Sequence, residues 1–323
     1  MNRHQPRITL LAGGVGGAKL ATGLAAICEP GQLSIIGNVA DDQEFHGLWV
    51  SPDIDTLTYT LAGRIDSDKG WGLADESHRV LDGLKRLGCD SWMYLGDQDL
   101  ATHIMRTHLR KQGVRPSIIT QRIAESFRVQ SNIVLPTDDR LQTRIRTPQG
   151  WLSFQEYFVR EQCQPEILEI QLDGLEHATV TPEALTAIRE ADLLVIAPSN
   201  PIVSIGPILA VPGLGQAFAL SNAVKIAVSP LIGGATVKGP ADRMLSACGY
   251  SCDNIGIADC YTDLIDGLII DHQDRSETEA LEERGLNVML THTLMQHTAD
   301  KARLARELLQ FAQELVTVEK LAC

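Results

Sequence analysis

Four aspartates offer the first chemistry in this sequence: Asp41 and Asp42 side by side, then Asp53 and Asp55 two residues apart behind Pro52. Hard carboxylate oxygens suit magnesium, which proteins hold through one or two carboxylates while substrate phosphates supply further ligands. Upstream lies Gly13-Gly14-Val15-Gly16-Gly17-Ala18-Lys19, a glycine run that opens a small-residue stretch. Glycines let a phosphate approach the backbone, and the N–H groups opening a helix point at it. Gly13, Gly14, Gly16, Gly17 and Lys19 are therefore candidate phosphate contacts, with Arg140 a second candidate cation. The run is not a Walker A loop, because Leu20 follows Lys19 and the spacing is wrong. Nor is it a full dinucleotide fingerprint, because Lys19 replaces the third glycine of G-x-G-x-x-G. Taken singly, each aspartate reads as a loop residue or a helix cap, Asp53 or Asp55 heading a helix at Thr56–Ala62. Four at one edge point instead to metal-assisted work on a phosphorylated substrate.

The elements that position them follow from the pattern. Ile8–Ala12 and Leu33–Val39 are apolar runs on either side of a helical stretch to Ile27. Strand, helix and strand in so few residues make a right-handed βαβ unit with parallel strands. Ligands in such sheets sit beyond the carboxyl ends of the strands, which brings the glycine run and Asn38–Asp42 to one edge. Residues 66–135 read as helical at Asp75–Leu87, Asp99–Lys111 and Pro116–Phe127, an insert at about 64–135 covering that edge. Asp97 and Asp99, in the turn Tyr94–Asp99, are either caps or substrate contacts. Gln142–Thr147 and Trp151–Arg160 read as a β-hairpin, Ile167–Leu172 as a strand, and Thr181–Ala191 as a helix. Leu193–Ala197 and Val224–Val228 are buried-strand runs ending in polar loops that carry Ser199, Asn200, Ser204, Ser229 and Gly233. Further elements are a helix at Ala241–Cys248, strands at Leu268–Asp271 and Asn287–Leu290, and a helix at Ala299–Val316. The expected fold is a single α/β domain over 1–323, Rossmann-like and doubly wound, mostly parallel, with the helical insert and the hairpin.

Composition narrows the function. A net charge of −13 over 323 residues argues against a nucleic-acid partner. Seven cysteines without a C-x-x-C pair fit reduced, cytoplasmic thiols. Cys248 and Cys252, four apart without a nearby histidine, make a poor zinc signature. The first seven residues are polar and no apolar run approaches about 18 residues, so neither export nor a membrane span is expected. His46, His78 and His103 lack metal-ligand spacing and read as core or surface residues. No Ser/His/Asp or Cys/His signature is present.

The strings GGVGGAKL, NVADDQEFHGLWVSPDIDT, GWGLADES, LGDQDLATHIMRT, LPTDDRLQT, APSNPIVSIGPILAVPG and VSPLIGGATVKGPADRML run through most of the chain in one order. In them the sequence resembles the 2-phospho-L-lactate transferase family (CofD/FbiA type) of coenzyme F-420 biosynthesis. That resemblance implies transfer of a phospho-acid from its guanosine diphosphate ester to the ribityl hydroxyl of the 5-deazaflavin Fo, with GMP released. It further implies a magnesium requirement and a homodimer. Asp55, the second aspartate of PDIDT, is implied at the Fo and metal site. Asp41 and Asp42 match the acidic pair after the second strand, so the implied metal set is Asp41, Asp42 and Asp55, with Asp41 and Asp55 catalytic. Asp53, Thr56, Tyr94 and Asp97 join the glycine run and the Ser199, Asn200, Ser204, Ser229 and Gly233 loops as implied substrate contacts. Val15, Gly17 and Ala18 depart from a GGTGTPK-like archaeal loop and resemble a bacterial branch. There phosphoenolpyruvate or 3-phosphoglycerate can replace 2-phospholactate as the origin of the transferred group. On this view Asp55→Asn lowers turnover by orders of magnitude and barely moves the melting temperature. A related branch of the superfamily resembles a non-enzymatic nucleotide-sugar-binding regulator. PDIDT, LGDQD and Trp49, Trp71 and Trp92 favour a deazaflavin site over it. A nicotinamide oxidoreductase fits poorly without the third glycine.

Overall fold

Short, dominantly apolar runs are best satisfied inside a sheet covered on both faces, and the structure, a computed structural model describing residues 6–237 and 239–322, places them there. Strands β1 (Ile8–Ala12) and β2 (Leu33–Gly37) flank helix α1 (Gly14–Ala25) and pair in parallel. An antiparallel hairpin, β3 (Gln43–Phe45) and β4 (Leu48–Val50), leads into α2 (Pro52–Leu61). Helices α3 (Arg79–Arg86), α4 (Asp97–Lys111) and α5 (Pro116–Ser126) precede strand β5 (Asn132–Val134). Strands β6 (Gln142–Thr147), β7 (Gly150–Ser153) and β8 (Glu169–Asp173) form a separate antiparallel sheet. Helix α6 (Pro182–Arg189) and β9 (Leu193–Ile196) then lead to α7 (Gly206–Ala210), α8 (Leu214–Ala219) and β10 (Val224–Val228). The short pair β11 (Leu231–Ile232) and β12 (Ala235–Thr236) precedes α9 (Ala241–Ala247) and α10 (Asn254–Cys260). The chain closes with β13 (Gly267–Asp271), α11 (Thr278–Glu282), β14 (Asn287–Thr291) and α12 (Thr298–Ala322).

Seven strands make the central sheet in the order β14-β13-β10-β9-β1-β2-β5, all parallel. This is a doubly wound α/β fold, and its order reverses between β1 and β9. Loops leaving the carboxyl ends of those two strands diverge and open a crevice. Helix α1 approaches α12 closely because Gly23 presents no side chain: a Cβ there would lie 2.2 Å from the Lys301 carbonyl oxygen. The stripe Leu304, Leu308, Phe311 and Leu315 of α12 is buried in the core, as its spacing requires.

Several elements differ from the sequence expectations. Residues 75–78 are not helical: Asp75 has φ of 60°, and α3 is confined to Arg79–Arg86. The helical insert stops short of β5, which pairs with β2 as the sheet's edge strand. The second hairpin strand ends at Ser153, and a π-helical turn occupies Glu156–Arg160. The cause is a reciprocal cap: Ser153 N–H donates to Glu156 Oε2 at 2.8 Å, while Glu156 N–H donates to Ser153 Oγ at 3.2 Å. Among the described residues, no helix is long and apolar enough to cross a membrane.

Candidate active site at the sheet's switch point

A cleft of about 530 Å³ lies over the carboxyl ends of β1 and β9, within the size range of small-molecule sites. Its floor is a close junction of two loops. Ser199 Oγ donates to the Gly13 carbonyl at 2.7 Å and accepts from the Gly13 N–H at 3.2 Å. A Cβ on Gly13 would meet Ser204 Cβ at 2.7 Å, and one on Gly16 would lie 2.2 Å from the Pro198 carbonyl oxygen. Gly16 is required because two backbones touch there, Gly13 because the Asp53 and Ser204 side chains close on it, and Gly14 also takes φ of 62°.

The aspartates divide by what holds them. Asp53 is no helix cap; Ser51 holds that position, without a side-chain bond. Asp53 Oδ1 instead accepts from the Gly14 N–H at 2.8 Å and Oδ2 from Asn38 Nδ2 at 2.9 Å. The same Asn38 nitrogen reaches the Val203 carbonyl at 3.2 Å, so one amide ties β2, α2 and the loop after β9 together. Asp41 is buried, and its Oδ1 has no hydrogen-bond partner. Burial first, then repulsion from Asp53, push the Asp41 carboxyl well above the ordinary range. Burial raises Asp53 as well, against the hydrogen bonds from Asn38 and Gly14. Asp42 serves the β3–β4 hairpin, accepting from Ser51 Oγ at 2.7 Å and Trp49 Nε1 at 3.0 Å, and does not line the cleft. Burial pushes Asp42 up to about 7.

Asp55 lines the cleft with both oxygens on the Arg106 guanidinium, Nη1 to Oδ2 at 3.0 Å and Nη2 to Oδ1. The expectation that Asp55→Asn spares stability is therefore corrected. Removing one partner of a buried ion pair strands the other and costs about 3–5 kcal/mol. Arg106 was not picked out in the sequence; His103, read there as a core or surface residue, is buried, with Nδ1 3.1 Å from Arg106 and Nε2 3.3 Å from Asp99 Oδ1. Asp99 lines the cleft and accepts from Tyr59 Oη at 2.7 Å. Burial alone would raise Asp99, but His103 and the Tyr59 hydroxyl hold it below the usual range. Asp97 is exposed and serves the loop before α3, accepting from Ser77 N–H and Ser77 Oγ. Gly96, not an aspartate side chain, occupies the cap of α4.

The other candidates fall as follows. Gly14, Gly16, Lys19, Thr56 and Tyr94 line the cleft, as do Ser199, Asn200, Ser204 and Ser229. Gly17 is buried behind the floor, and Gly233 lies outside the lining, its N–H donating to Asp274 at 3.0 Å. Arg140 spends its guanidinium on Gln142 and is also outside. Asn200 additionally caps the turn at Pro201–Ile205, accepting from Ile202 and Val203 N–H groups. Much of the remaining wall is apolar and aromatic: Trp71, Met93, Tyr94, Phe154 and Phe158. Tyr94 is braced edge-on by Trp71 at 5.0 Å and by His78 at 4.3 Å between ring centroids.

The charge balance has a chemical meaning. Among the described lining residues Lys19 is the one lysine or arginine, against Asp41, Asp53, Asp55 and Asp99. A carboxylate already sits on the first N–H of α1, so an anion there would be repelled unless a cation intervened. Asp41, with a partnerless buried oxygen beside Asp53, is a donor set that fits a hard divalent ion. Without an ion, these groups destabilise the fold when charged. For Asp42 the folded state keeps a proton that the unfolded chain loses near pH 4. Stability of the metal-free protein should therefore fall by up to about 4 kcal/mol as pH rises from 4 through 7. Asp42→Asn should flatten the part of that slope near pH 7 in a series of urea titrations. An unchanged slope would show that Asp42 ionises freely.

Residues 8–315 match the sequence profile of the 2-phospho-L-lactate transferase CofD family. A 2-phospho-L-lactate transferase of Methanococcoides burtonii is 38% identical over 286 residues, covering 88% of this chain and 93% of the relative. A phosphoenolpyruvate transferase of Kitasatospora aureofaciens is 39% identical over 316 residues, 96% of this chain and 98% of the relative. A solved UPF0052-family structure from Bacillus halodurans superposes with a TM-score of 0.62 at 16% identity, covering 94% of this chain and 99% of that one, a likeness of fold alone.

Proposed function

The chain belongs to the 2-phospho-L-lactate transferase CofD family of transferases, and we propose that it moves a phosphorylated three-carbon acid from its guanosine diphosphate ester to the terminal ribityl hydroxyl of Fo. GMP is the second product, and the reaction is a step in coenzyme F-420 biosynthesis. One observation carries the reading: Asp41 and Asp53, both raised by burial and Asp41 also by repulsion from Asp53, stand beside the glycine floor where a diphosphate would rest. A divalent ion, taken as magnesium and held by Asp41 and Asp53, would neutralise the diphosphate charge. This choice replaces Asp42 and Asp55, the other two acids of the implied set, because Asp42 lies outside the cleft lining and Asp55 is held by Arg106.

The protein's own residues then do the positioning. Lys19 and the backbone at Gly14–Gly16 face the phosphates of the donor, and Ser204 and Ser229 offer hydroxyls along its path. The wall of Trp71, Tyr94, Met93, Phe154 and Phe158 suits a flat heteroaromatic ring. Asp55 orients the acceptor hydroxyl and takes its proton. The hydroxyl oxygen forms a bond to the acid-side phosphorus as the bond from that phosphorus to the bridging oxygen breaks, and GMP leaves with that oxygen.

The test is a mass-spectrometric assay with Fo, magnesium and the guanylylated forms of 2-phospholactate, phosphoenolpyruvate and 3-phosphoglycerate in competition. The expected product is Fo plus one phospho-acid, with equimolar GMP. No product from any donor, with Fo fluorescence unchanged by the protein, would overturn the reading. Magnesium should raise the wild-type melting temperature, by the equivalent of about 2.7 kcal/mol at a hundredfold excess over its dissociation constant.

A further inference from the structure

Arg106 comes from the insert, 51 residues from the carboxylate it holds, and is only 3% exposed. Its guanidinium is always charged and accepts no hydrogen bond. At 3.1 Å from His103 Nδ1 it must therefore be the donor, which makes Nδ1 the acceptor nitrogen and puts the ring proton on Nε2, facing Asp99. The trio Asp55, Asp99 and His103 lies close enough together to ligate an ion. That tautomer, however, leaves neither ring nitrogen a free lone pair, so His103 cannot serve as a ligand. The cluster runs from Asp55 through Arg106 to His103 by hydrogen bonds, and from His103 Nε2 by a 3.3 Å polar contact to Asp99, which Tyr59 also holds.

A buried ion pair is a poor source of stability, since apolar residues of similar volume commonly do as well or better. Two parallel N–H···O bonds do fix one thing a hydrophobic contact cannot: the roll of the carboxylate plane. We propose that Arg106 is a positioning residue for the transfer step, setting the plane of Asp55 so that its remaining lone pairs face the acceptor hydroxyl. This rests on the role given to Asp55 above. The insert is thus part of the reacting geometry as well as a wall of the cleft.

The experiment is a double-mutant cycle of Arg106→Lys and Asp55→Asn in the full chain, assayed with Fo and the donor the wild type uses, at a temperature where circular dichroism shows each variant folded. Lysine keeps the charge and loses the fork. Arg106→Lys is expected to lower kcat about a hundredfold, the scale of a 1 Å misplacement, with the KM of the donor within about twofold. In the Asp55→Asn background the lysine substitution should cost nothing further, because its only route to the reaction is gone. Arg106→Gln, planar and uncharged, serves as the second variant if lysine does not fold, with the same non-additivity expected. Losses that multiply in the double variant, or a folded single variant with kcat within about threefold of wild type, would overturn the proposal. Near-normal turnover of Asp55→Asn, with Arg106→Lys impaired, would overturn both it and the role of Asp55. A wild type that makes no product refutes the transferase reading itself.

Discussion

Asp41→Asn is expected to lower turnover by about two to three orders of magnitude, the scale of losing a preorganised electrostatic contact at a reacting centre, while making the metal-free protein more stable. The two effects have opposite signs for one reason. Asp41 is buried with a partnerless oxygen and with Asp53 close by, so burial and repulsion raise its carboxyl well above the ordinary range. A group whose folded-state pKa is raised opposes folding once it is ionised, at any pH above its unfolded value. The neutral amide removes that opposition, worth about 1–2 kcal/mol after allowing for the amide's own unmet hydrogen bonds. Differential scanning fluorimetry at pH 8 with a chelator should show the melting temperature rising by a few degrees. Added magnesium should then stabilise the wild type and leave the variant unmoved. A variant that melts lower and still responds to magnesium would assign Asp41 to the fold and the ion to other ligands.

Gly16→Ala is the second large effect, and it acts through backbone. The new methyl would lie 2.2 Å from the Pro198 carbonyl oxygen, an atom that cannot rotate away. The loops after β1 and β9 must part, at a cost of about 1–3 kcal/mol for an overpacked junction. Parting them shifts the floor beneath the donor phosphates, and kcat/KM for the donor should drop about a hundredfold. Gly83→Ala is the control: it lies in α3, where the nearest atom to a new Cβ is Arg86 Nη2 at 3.8 Å. It should leave turnover intact. Equal losses in both variants would mean that the assay reports general instability and not the switch point.

The readable parts of this molecule were those whose cause is local. Ile8–Ala12 and Leu193–Ile196 are buried in the sheet because they are almost wholly apolar, and that is visible in the residues themselves. The glycine run announced a close approach, though not that its partner would be the Pro198 carbonyl. Asn132–Val134 escaped notice because three residues have no periodicity; β5 exists because β2 offers it an edge. The turn at Glu156–Arg160 did carry a signal, the Ser153-x-x-Glu156 cap, overlooked inside an apparent strand. Arg106 had none. An arginine in LGDQDLATHIMRT looks like any solvated helical arginine until folding brings Asp55 to it. The aspartates were legible as a cluster but not as individuals, since the donors that folding brings to each, Ser51 and Trp49 to Asp42 and Arg106 to Asp55, set what that carboxylate does.

The insert also has a meaning for descent. Trp71, Met93, Tyr94, Asp99 and Arg106 all come from one unbroken stretch between α2 and β5, whereas the phosphate floor is assembled from loops far apart in the chain. One recombination event can therefore exchange Trp71, Met93 and Tyr94 together and leave the floor, with Phe154 and Phe158, untouched. Such a cassette must keep its contacts with the rest of the chain, above all a guanidinium at the place of Arg106 to meet Asp55 and a carboxylate at the place of Asp99 to meet Tyr59. Lineages that swap acceptors should carry that arginine across, even where the rest of the insert has been rewritten.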